Sequence, residues 1–477
     1  MLNTVGRQGL LPALLLLLGG CAVGPVYNAP SNADLGVPAS WRGKAAESVT
    51  PDDLSRWWAR LGDERLTALI DEALQHNPDL DSARASLRAS RARVSVAESG
   101  RLPTVTASAS AGSGKSGNNA SREQYQAGFD ASWEPDIFGG VRHAATAASA
   151  DAESVAANLA QAQVSLAAEV ARNYIQLRSL QARLEITRRN LAAQEETRAL
   201  TGWRAQAGLV SSLAVEQAVA ALEQTRAQIP TLESSLAAAE NRLAILTGQA
   251  PGTLHDRLSG SAALPVLPAA LVIGIPADTL RQRPDVQAAE RRLAAETARS
   301  GVAAANRYPS FRLSGSVGLE ALTLSGLGDS TALNRSLLAG ITSPLFDGGR
   351  LRQQVAIQSA VQDQALANYR STVLTALEEV ENALSGLSAQ QQRLAALTAG
   401  AKAAVNAAAL AGQRYQAGIT DYQTVLDTER TRLSLEDSRQ SCEADLATAL
   451  VQLYKALGGG WTVATPVTPA ASSGNPS

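Results

Sequence analysis

The chain has 477 residues, 45% of them hydrophobic but only 4% aromatic, with four Phe and a single Met. Alanine carries much of the apolar count. Such small side chains fill little volume, so several ordinary thick-cored domains are excluded and narrow helical seams are favoured. A net charge of −2, a pI near 6.1 and a mean hydropathy of −0.06 exclude an electrostatically driven nucleic-acid binder and a polytopic helical membrane protein, and two cysteines exclude a disulfide framework.

Residues 1–20 read as a signal peptide to be set aside for fold reasoning. Arg7 supplies a positive n-region, and Leu10 to Leu18 is an apolar run too short to span a bilayer. Leu18-Gly19-Gly20-Cys21 resembles the bacterial lipobox. That resemblance implies cleavage before Cys21 and its acylation, with two or more chains making the anchoring stable. Ala22 follows, where an aspartate would argue for inner-membrane retention, so the outer membrane is favoured. An ordinary signal peptide that happens to contain a cysteine is the alternative. Cys442 reads as a buried small hydrophobe.

After an N-terminal segment over 21–76, Asn77-Pro78 starts a helix that runs to about Ser99. Strands are predicted over ~104–111 and ~124–133. Val141 to Thr201 then contains no Gly or Pro. At about 1.5 Å per residue this helix (~141–201) would extend about 90 Å. A partner helix (~212–247) carries Pro230, a kink position. A Gly/Pro-rich linker covers 248–276. The same order returns over 277–461: a helix, strands ~311–320 and ~336–345, and long helices ~351–411 and ~419–457. A polar tail, 462–477, has the composition of disorder.

The second series copies the first. Pro78 and Pro284 lie 206 residues apart, as do Pro103 and Pro309, while Gly208 and Gly418 lie 210 apart. Matches in constant order with so little drift mark a duplication, with 77–247 as the first repeat and 277–461 as the second. Helices this long must pair along their length, as coiled coils do.

In the strands, apolar and polar residues alternate. The odd positions from Tyr125 to Trp133 are apolar and the even ones polar or Gly, and Phe311 to Glu320 does the same apart from Gly315. Runs of about ten residues with this period suit a transmembrane β-strand. The same alternation also fits a soluble antiparallel sheet with one buried face. Phe129, Trp133, Phe138, Phe311 and Phe346 are candidates for a membrane-interface girdle. Four strands cannot close a barrel, so a membrane reading requires 4n strands from n chains.

Several segments together resemble the TolC-type outer-membrane factors, in particular the lipoprotein branch of multidrug efflux ducts (OprM-like or NodT). They are Cys21-Ala22-Val23-Gly24-Pro25, Trp57-Trp58 with Leu61-Gly62-Asp63, Leu280-Arg281-Gln282-Arg283-Pro284-Asp285-Val286 and Pro344-Leu345-Phe346-Asp347-Gly348-Gly349-Arg350. The resemblance implies a mainly α fold with a small membrane β part. It implies a homotrimer whose strands close one 12-stranded β-barrel above an α-barrel of coiled helices, set in outer-membrane lipid and extending into the periplasm. It also implies a periplasmic adaptor (membrane fusion protein) and an inner-membrane pump of the RND type as partners. The implied function is a passive exit duct for drugs or other small molecules, opened at its periplasmic helix ends. A type I protein-secretion duct of the same fold and a non-conducting periplasm-spanning lipoprotein are the alternatives.

The same resemblance marks Arg414-Tyr415 through Asp427 as the gate hairpin, with Asp427, Thr424, Tyr415 and Arg414 as gate residues. Thr424 stands where some members have a second acid, and Ala214 where many have an Asp. The turns at Gly208, Leu209 and Val210 and at Gly418, Ile419 and Thr420 would face the adaptor.

Gly114-Lys115-Ser116 lacks the first Gly and the following helix of a P-loop. The three histidines are scattered and no nucleophile turn occurs, so no metal, cofactor or enzymatic activity is expected.

Overall fold

The computed structural model describes residues 23–42, 54–115, 117, 122–260, 264–265 and 276–461. A short 3₁₀ turn, Trp57–Leu61, precedes α1 (Glu64–His76) and α2 (Pro78–Ser99). Then come β1 (Thr104–Gly114), β2 (Arg122–Trp133), α3 (Gly140–Gln206) and α4 (Ser212–Leu246). One helical turn, α5 (His255–Leu258), leads toward α6 (Pro276–Gln282). The pattern then repeats as α7 (Pro284–Ala305), β3 (Ser310–Ala321), β4 (Leu333–Thr342), α8 (Arg350–Gln416) and α9 (Tyr422–Ala456). Both long helices have 67 residues and both partner helices 35, so the duplication extends to element length.

Several boundaries differ from the sequence expectation. Helices α3 and α8 each run five residues past their expected ends, through Gly202 and Gly412, to Gln206 and Gln416. Each Gly costs about 1 kcal/mol relative to Ala, less than helix pairing returns. Helix α9 starts at Tyr422 rather than Ile419, because Asp421 is its N-cap. Strand β4 covers Leu333–Thr342 rather than ~336–345, since Leu333 pairs with Leu319 and Thr342 with Ser310. Pro344 has no N–H with which to extend the ladder. Helix α4 continues through Pro230. An 18-residue stretch of α8 is apolar enough, by length and composition, to cross a membrane.

The chain contacts form two compact units. The second holds Asn32–Arg84, Asn158–Val286 and the chain from Val373 onward. Its core is aromatic at one point: Trp57 stacks on Tyr454 at 5.2 Å and meets Trp58 edge-on at 5.7 Å. The helix starts around this core are tied down in parallel ways. Asn77 caps α2 by accepting from the amides of Asp79 and Leu80, and its Nδ2 donates to the Leu246 carbonyl at the end of α4. At the matching position before Pro284, buried Arg283 donates to the Ala456 carbonyl at the end of α9 and pairs with Asp285 and Glu379. One clasp is neutral and the other ionic, yet both close a repeat onto its own last helix.

The first unit holds the chain up to Ser31, Ala85–Ala157 and Gln287–Thr372. All four strands belong to it, in one antiparallel sheet ordered β1-β2-β3-β4. The chain just after Cys21 is clasped here too. The Val23 amide donates to the Phe138 carbonyl (3.2 Å), and His143 Nε2 donates to the Val23 carbonyl (3.1 Å). Gly24 and Gly301 meet so closely that a Cβ on Gly24 would stand 2.6 Å from the Gly301 Cα.

Candidate functional site

Two places carry features that packing alone does not require. The first is the sheet. Its register puts Ala107, Phe129 and Val317 in one row and Trp133 beside Leu313 in another. Phe311 and Ile341 are paired on the same face. Leu333, Leu337 and Ile341 are exposed there. The opposite face is laced by polar contacts. Ser316 bonds Ser336 (2.7 Å), Gln124 donates to Glu320 (2.9 Å), and Ser108 donates to Asp130 (3.2 Å). Several residues break the pattern: Arg335 on the apolar face opposite Val317, Glu123 and Ser113 paired on that face at the loop end of β1 and β2, and Leu338 on the polar face opposite Ser314. Strands β1 and β4 are exposed along their whole length, and each has one unpaired edge.

The girdle candidates do not all share that face. Phe129, Trp133 and Phe311 do, and the Trp133 indole donates to the Arg101 carbonyl. Phe138 instead lies beyond β2, stacked on Tyr308 at 4.8 Å and 6.4 Å from Phe311, so its ring is spent on packing within the chain. Phe346 lies past the end of β4 and is 94% exposed. Cys21 lies outside the described residues.

The second place is the pair of hairpin turns, α3–α4 and α8–α9, in the second unit. Both helices end in the same way. The Gly208 amide donates to Ala205 and the Leu209 amide to Arg204; the Gly418 amide donates to Tyr415 and the Ile419 amide to Arg414. This is the Schellman pattern, and it needs a left-handed residue at the turn. Gly208 (φ 70°) and Gly418 (φ 74°) meet that need. Leu209 and Ile419 are left 73% and 67% exposed at the tips, while Val210 and Thr420 are half-buried.

Tyr415 is 2% exposed, in a cluster with Ala218, Ala221, Ala411, Tyr422, Val425 and Leu426. Its ring meets Tyr422 edge-on at 6.0 Å. Thr201 Oγ1 donates to the Thr197 carbonyl, so the Tyr415 hydroxyl donates to Thr201 across 3.1 Å. The Arg204 guanidinium completes the group. It lies 4.4 Å from the centroid of the Tyr415 ring and donates to the carbonyls of Tyr415 (2.6 Å) and Gln416 (2.8 Å). A cation there faces both a π-system and the negative end of α8. Arg204 stands 210 residues before Arg414, at the matching place in the first repeat, and no local sequence pattern marks it. The Arg414 side chain is exposed and makes no hydrogen bond or ion pair among the described residues.

On α9, Asp427 and Thr424 are exposed, on the side away from the buried Tyr422, Val425 and Leu426. Gln423 Nε2 donates to Asp427 Oδ1 (3.0 Å). The Thr424 hydroxyl and amide both donate to Asp421 Oδ1, at 2.7 and 3.0 Å. Those two bonds, the hydroxyl's first, hold the Asp421 carboxyl below the ordinary carboxylate value. Thr424 is therefore engaged in capping α9. Asp421 was readable in sequence as an Asp just before a long helical run.

Known proteins share this architecture. The model of the family described as Outer membrane efflux protein matches residues 69–249 and 275–459, one match for each repeat. The outer membrane protein OprJ of Pseudomonas aeruginosa is 32% identical over 458 residues, covering 94% of this chain and 95% of OprJ. The solved outer-membrane channel OprN superposes with a TM-score of 0.85 at 39% identity, covering 92% of this chain and 99% of that one. The open state of the Neisseria gonorrhoeae MtrE outer membrane channel gives 0.82 at 30% identity, covering 92% and 99%.

Proposed function

Because the chain belongs to the outer membrane efflux protein family, we propose that three copies close their sheets into one 12-stranded barrel and their hairpins into a gated duct. The protein is an outer-membrane channel component of an efflux system. The observation that carries the trimeric reading is the sheet, which has one apolar face, one polar face and a free edge on each side. A lone four-stranded sheet of this kind would leave two ladders unsatisfied in lipid, and only closure removes edges. Joining β4 of one copy to β1 of the next satisfies both. The apolar face then meets the acyl chains, with Phe129, Trp133 and Phe311 among its contacts, and the polar face lines the lumen. Arg335 lies near the loop end of β4, where its stem can run along the apolar face toward the headgroups.

Transport needs no chemistry from the duct itself. An inner-membrane pump of the RND type, joined through a periplasmic adaptor, supplies the work and selects the cargo. The adaptor meets the hairpin turns, the exposed Gly208, Leu209, Gly418 and Ile419 with the half-buried Val210 and Thr420 beside them. At the gate, the exposed Asp427 carboxylates of three copies favour cations and repel one another unless solvated. Acylated Cys21 anchors the mature chain, and the Val23–Gly24 clasp holds the polypeptide beside the start of α3. Native mass and planar-bilayer conductance of the purified protein test this function together. A trimer that conducts supports it. A trimer that never conducts, even with Asp427→Ala, refutes the duct and leaves a structural lipoprotein.

A further inference from the structure

On the face assigned to lipid, the four strands carry one cation, and the chain supplies nothing to pair with it. Arg335 is the third residue of β4 and shares a row with Val317, Phe129 and Ala107. Its side chain is exposed and makes no hydrogen bond or ion pair among the described residues. The flanking positions are apolar: Val317 and Leu319 on β3, Leu333 and Leu337 on β4 itself. In a closed ring the strand on the other side is β1 of the next copy, which presents Val105, Ala107, Ala109, Ala111 and Ser113 on this face. None of these is an acid, whatever the register across the seam. Glu123 on β2 is the one carboxylate of the strands on this face, and it accepts from the Tyr125 hydroxyl (3.2 Å). It stands two strands from β4 whether counted through β3 or through β1 of the next copy.

An unpaired guanidinium is costly in the middle of a bilayer and tolerated near its boundary. Strand β4 has 10 residues, about the length that spans the hydrocarbon, so Leu333 lies near one boundary. Arg335 is two residues further in, about 7 Å along the strand and about 5 Å in depth at a tilt of about 45°. Its stem can cover that depth and bring the charge back among the headgroups. Strands β2 and β4 both run into long helices at their opposite ends, so this boundary is the one facing away from the helices. A second unpaired cation lies at the same end. Lys115 follows Gly114, the last residue of β1, and is exposed without a hydrogen bond or ion pair among the described residues. In the ring it stands at the loop end of the strand beside β4 of the preceding copy. Between the leucines of β4 and the aromatic column of Tyr125 and Phe129 on β2, the alanines of β1 leave a trough about 10 Å across, two strand spacings.

We propose that the seam between β4 of one copy and β1 of the next holds a phosphate-bearing lipid of the outer leaflet, with its phosphate on Arg335 and Lys115 and an acyl chain along the alanine trough. The chemistry of each part suits that occupant. A guanidinium forks onto two phosphate oxygens, and an ammonium adds a point charge. Small side chains give an acyl chain room against the wall, and the flanking leucines and rings bury its methylenes further. A zwitterionic headgroup carries its own ammonium beside its phosphate and offers the two cations little net charge to meet. A lipid with phosphates and no ammonium suits them best. Free phosphate in water has no acyl chain to hold it in the trough.

This inference rests on the closed-barrel reading, and native mass measurement of the full-length protein in detergent tests the two separately. The probes are lipid A with two phosphates, the same glycolipid with its phosphates removed, and inorganic phosphate. The expected result is a trimer that retains up to one phosphorylated lipid per seam, with about tenfold weaker retention for Arg335→Gln, the loss of one charge-assisted pair. Arg335→Lys should recover part of the affinity. Arg312→Gln, which removes a cation from the polar face of β3, should leave it unchanged. Should Arg335→Gln fail to assemble, Lys115→Gln, outside the strands, reads the same site with a smaller loss. A trimer that retains both glycolipids alike overturns the site while the duct stands. So does retention indifferent to Arg335→Gln, the result if Glu123 of the next copy holds the arginine. Displacement of the lipid by inorganic phosphate makes it a plain anion site and overturns the lipid. A protein that is monomeric by native mass overturns the ring, and the seam with it.

Discussion

Arg204→Ala tests the contact between the two hairpins of one chain directly. The substitution removes two hydrogen bonds from a charged donor, at 2.6 and 2.8 Å, and a cation–π contact at 4.4 Å. Bonds to charged groups contribute about 1.5–3 kcal/mol when shielded, and an exposed cation–π contact about 0.5–1 kcal/mol. Arg204 is only half-buried, so solvent screening reduces the total to about 2 kcal/mol, or roughly thirtyfold in a local opening equilibrium. Hydrogen exchange reads this at the Gly418 and Ile419 amides, whose acceptors are the Tyr415 and Arg414 carbonyls. They should exchange about thirtyfold faster, while the Gly208 and Leu209 amides of the first hairpin keep their protection. Arg204→Lys should recover less than half of the effect, because an ammonium cannot fork onto two carbonyls and lie flat on a ring. Unchanged exchange at Gly418 and Ile419 would refute the clamp. Equal acceleration in both hairpins would show general destabilisation instead.

Three further outcomes are expected. Asp427→Asn should lower the preference for cations over anions, read as a shift in reversal potential under a salt gradient, with single-channel size little changed. Phe129→Arg places a charge in the middle of the lipid-facing sheet and should cost about 2–4 kcal/mol in equilibrium folding into lipid vesicles; the same change at Ser316, on the polar face, should cost far less. His255 is held above the ordinary histidine value, first by its hydrogen bond to Glu240 and then by that carboxylate's charge. A raised value in the folded state means its stabilisation is complete below the unfolded value, about 6.5, and fades as pH rises through the folded value. Glu240→Gln should move the His255 ring titration, followed by NMR, back down and flatten that dependence; an unmoved titration would refute the pairing.

The duplication was legible because its markers are residues with steric duties. Pro78 and Pro284 each open a helix, and Gly208 and Gly418 each hold a left-handed turn. Such positions resist replacement for backbone reasons, so they keep their spacing while side chains around them change. Strand existence was legible from period two, but the limits of β4 were not. Leu337 and Leu338 are adjacent and apolar, which blurs the alternation, and only pairing with β3 fixes Leu333 and Thr342 as its ends. The gate was half legible. Tyr415 drew attention beside Arg414, yet the arginine on its ring is Arg204, 211 residues away in sequence. A contact of that range leaves no local pattern, and the residue next to a buried aromatic on a helix points to another side.

The unsatisfied features of the chain come in complementary, non-identical pairs. The free edge of β1 belongs to the first repeat and that of β4 to the second. The Ala205 and Gln206 carbonyls, which receive no side chain among the described residues, belong to the first repeat, and the Arg414 side chain, without a partner among them, to the second. A two-fold dimer joined at its β4 edges would leave both β1 edges open. A head-to-tail arrangement joins unlike surfaces at every contact, and when its rotation closes it gives a ring. Within one chain the step from first repeat to second is already such a contact, made between Arg204 and the end of α8. A closed ring of copies would continue that step from one copy to the next.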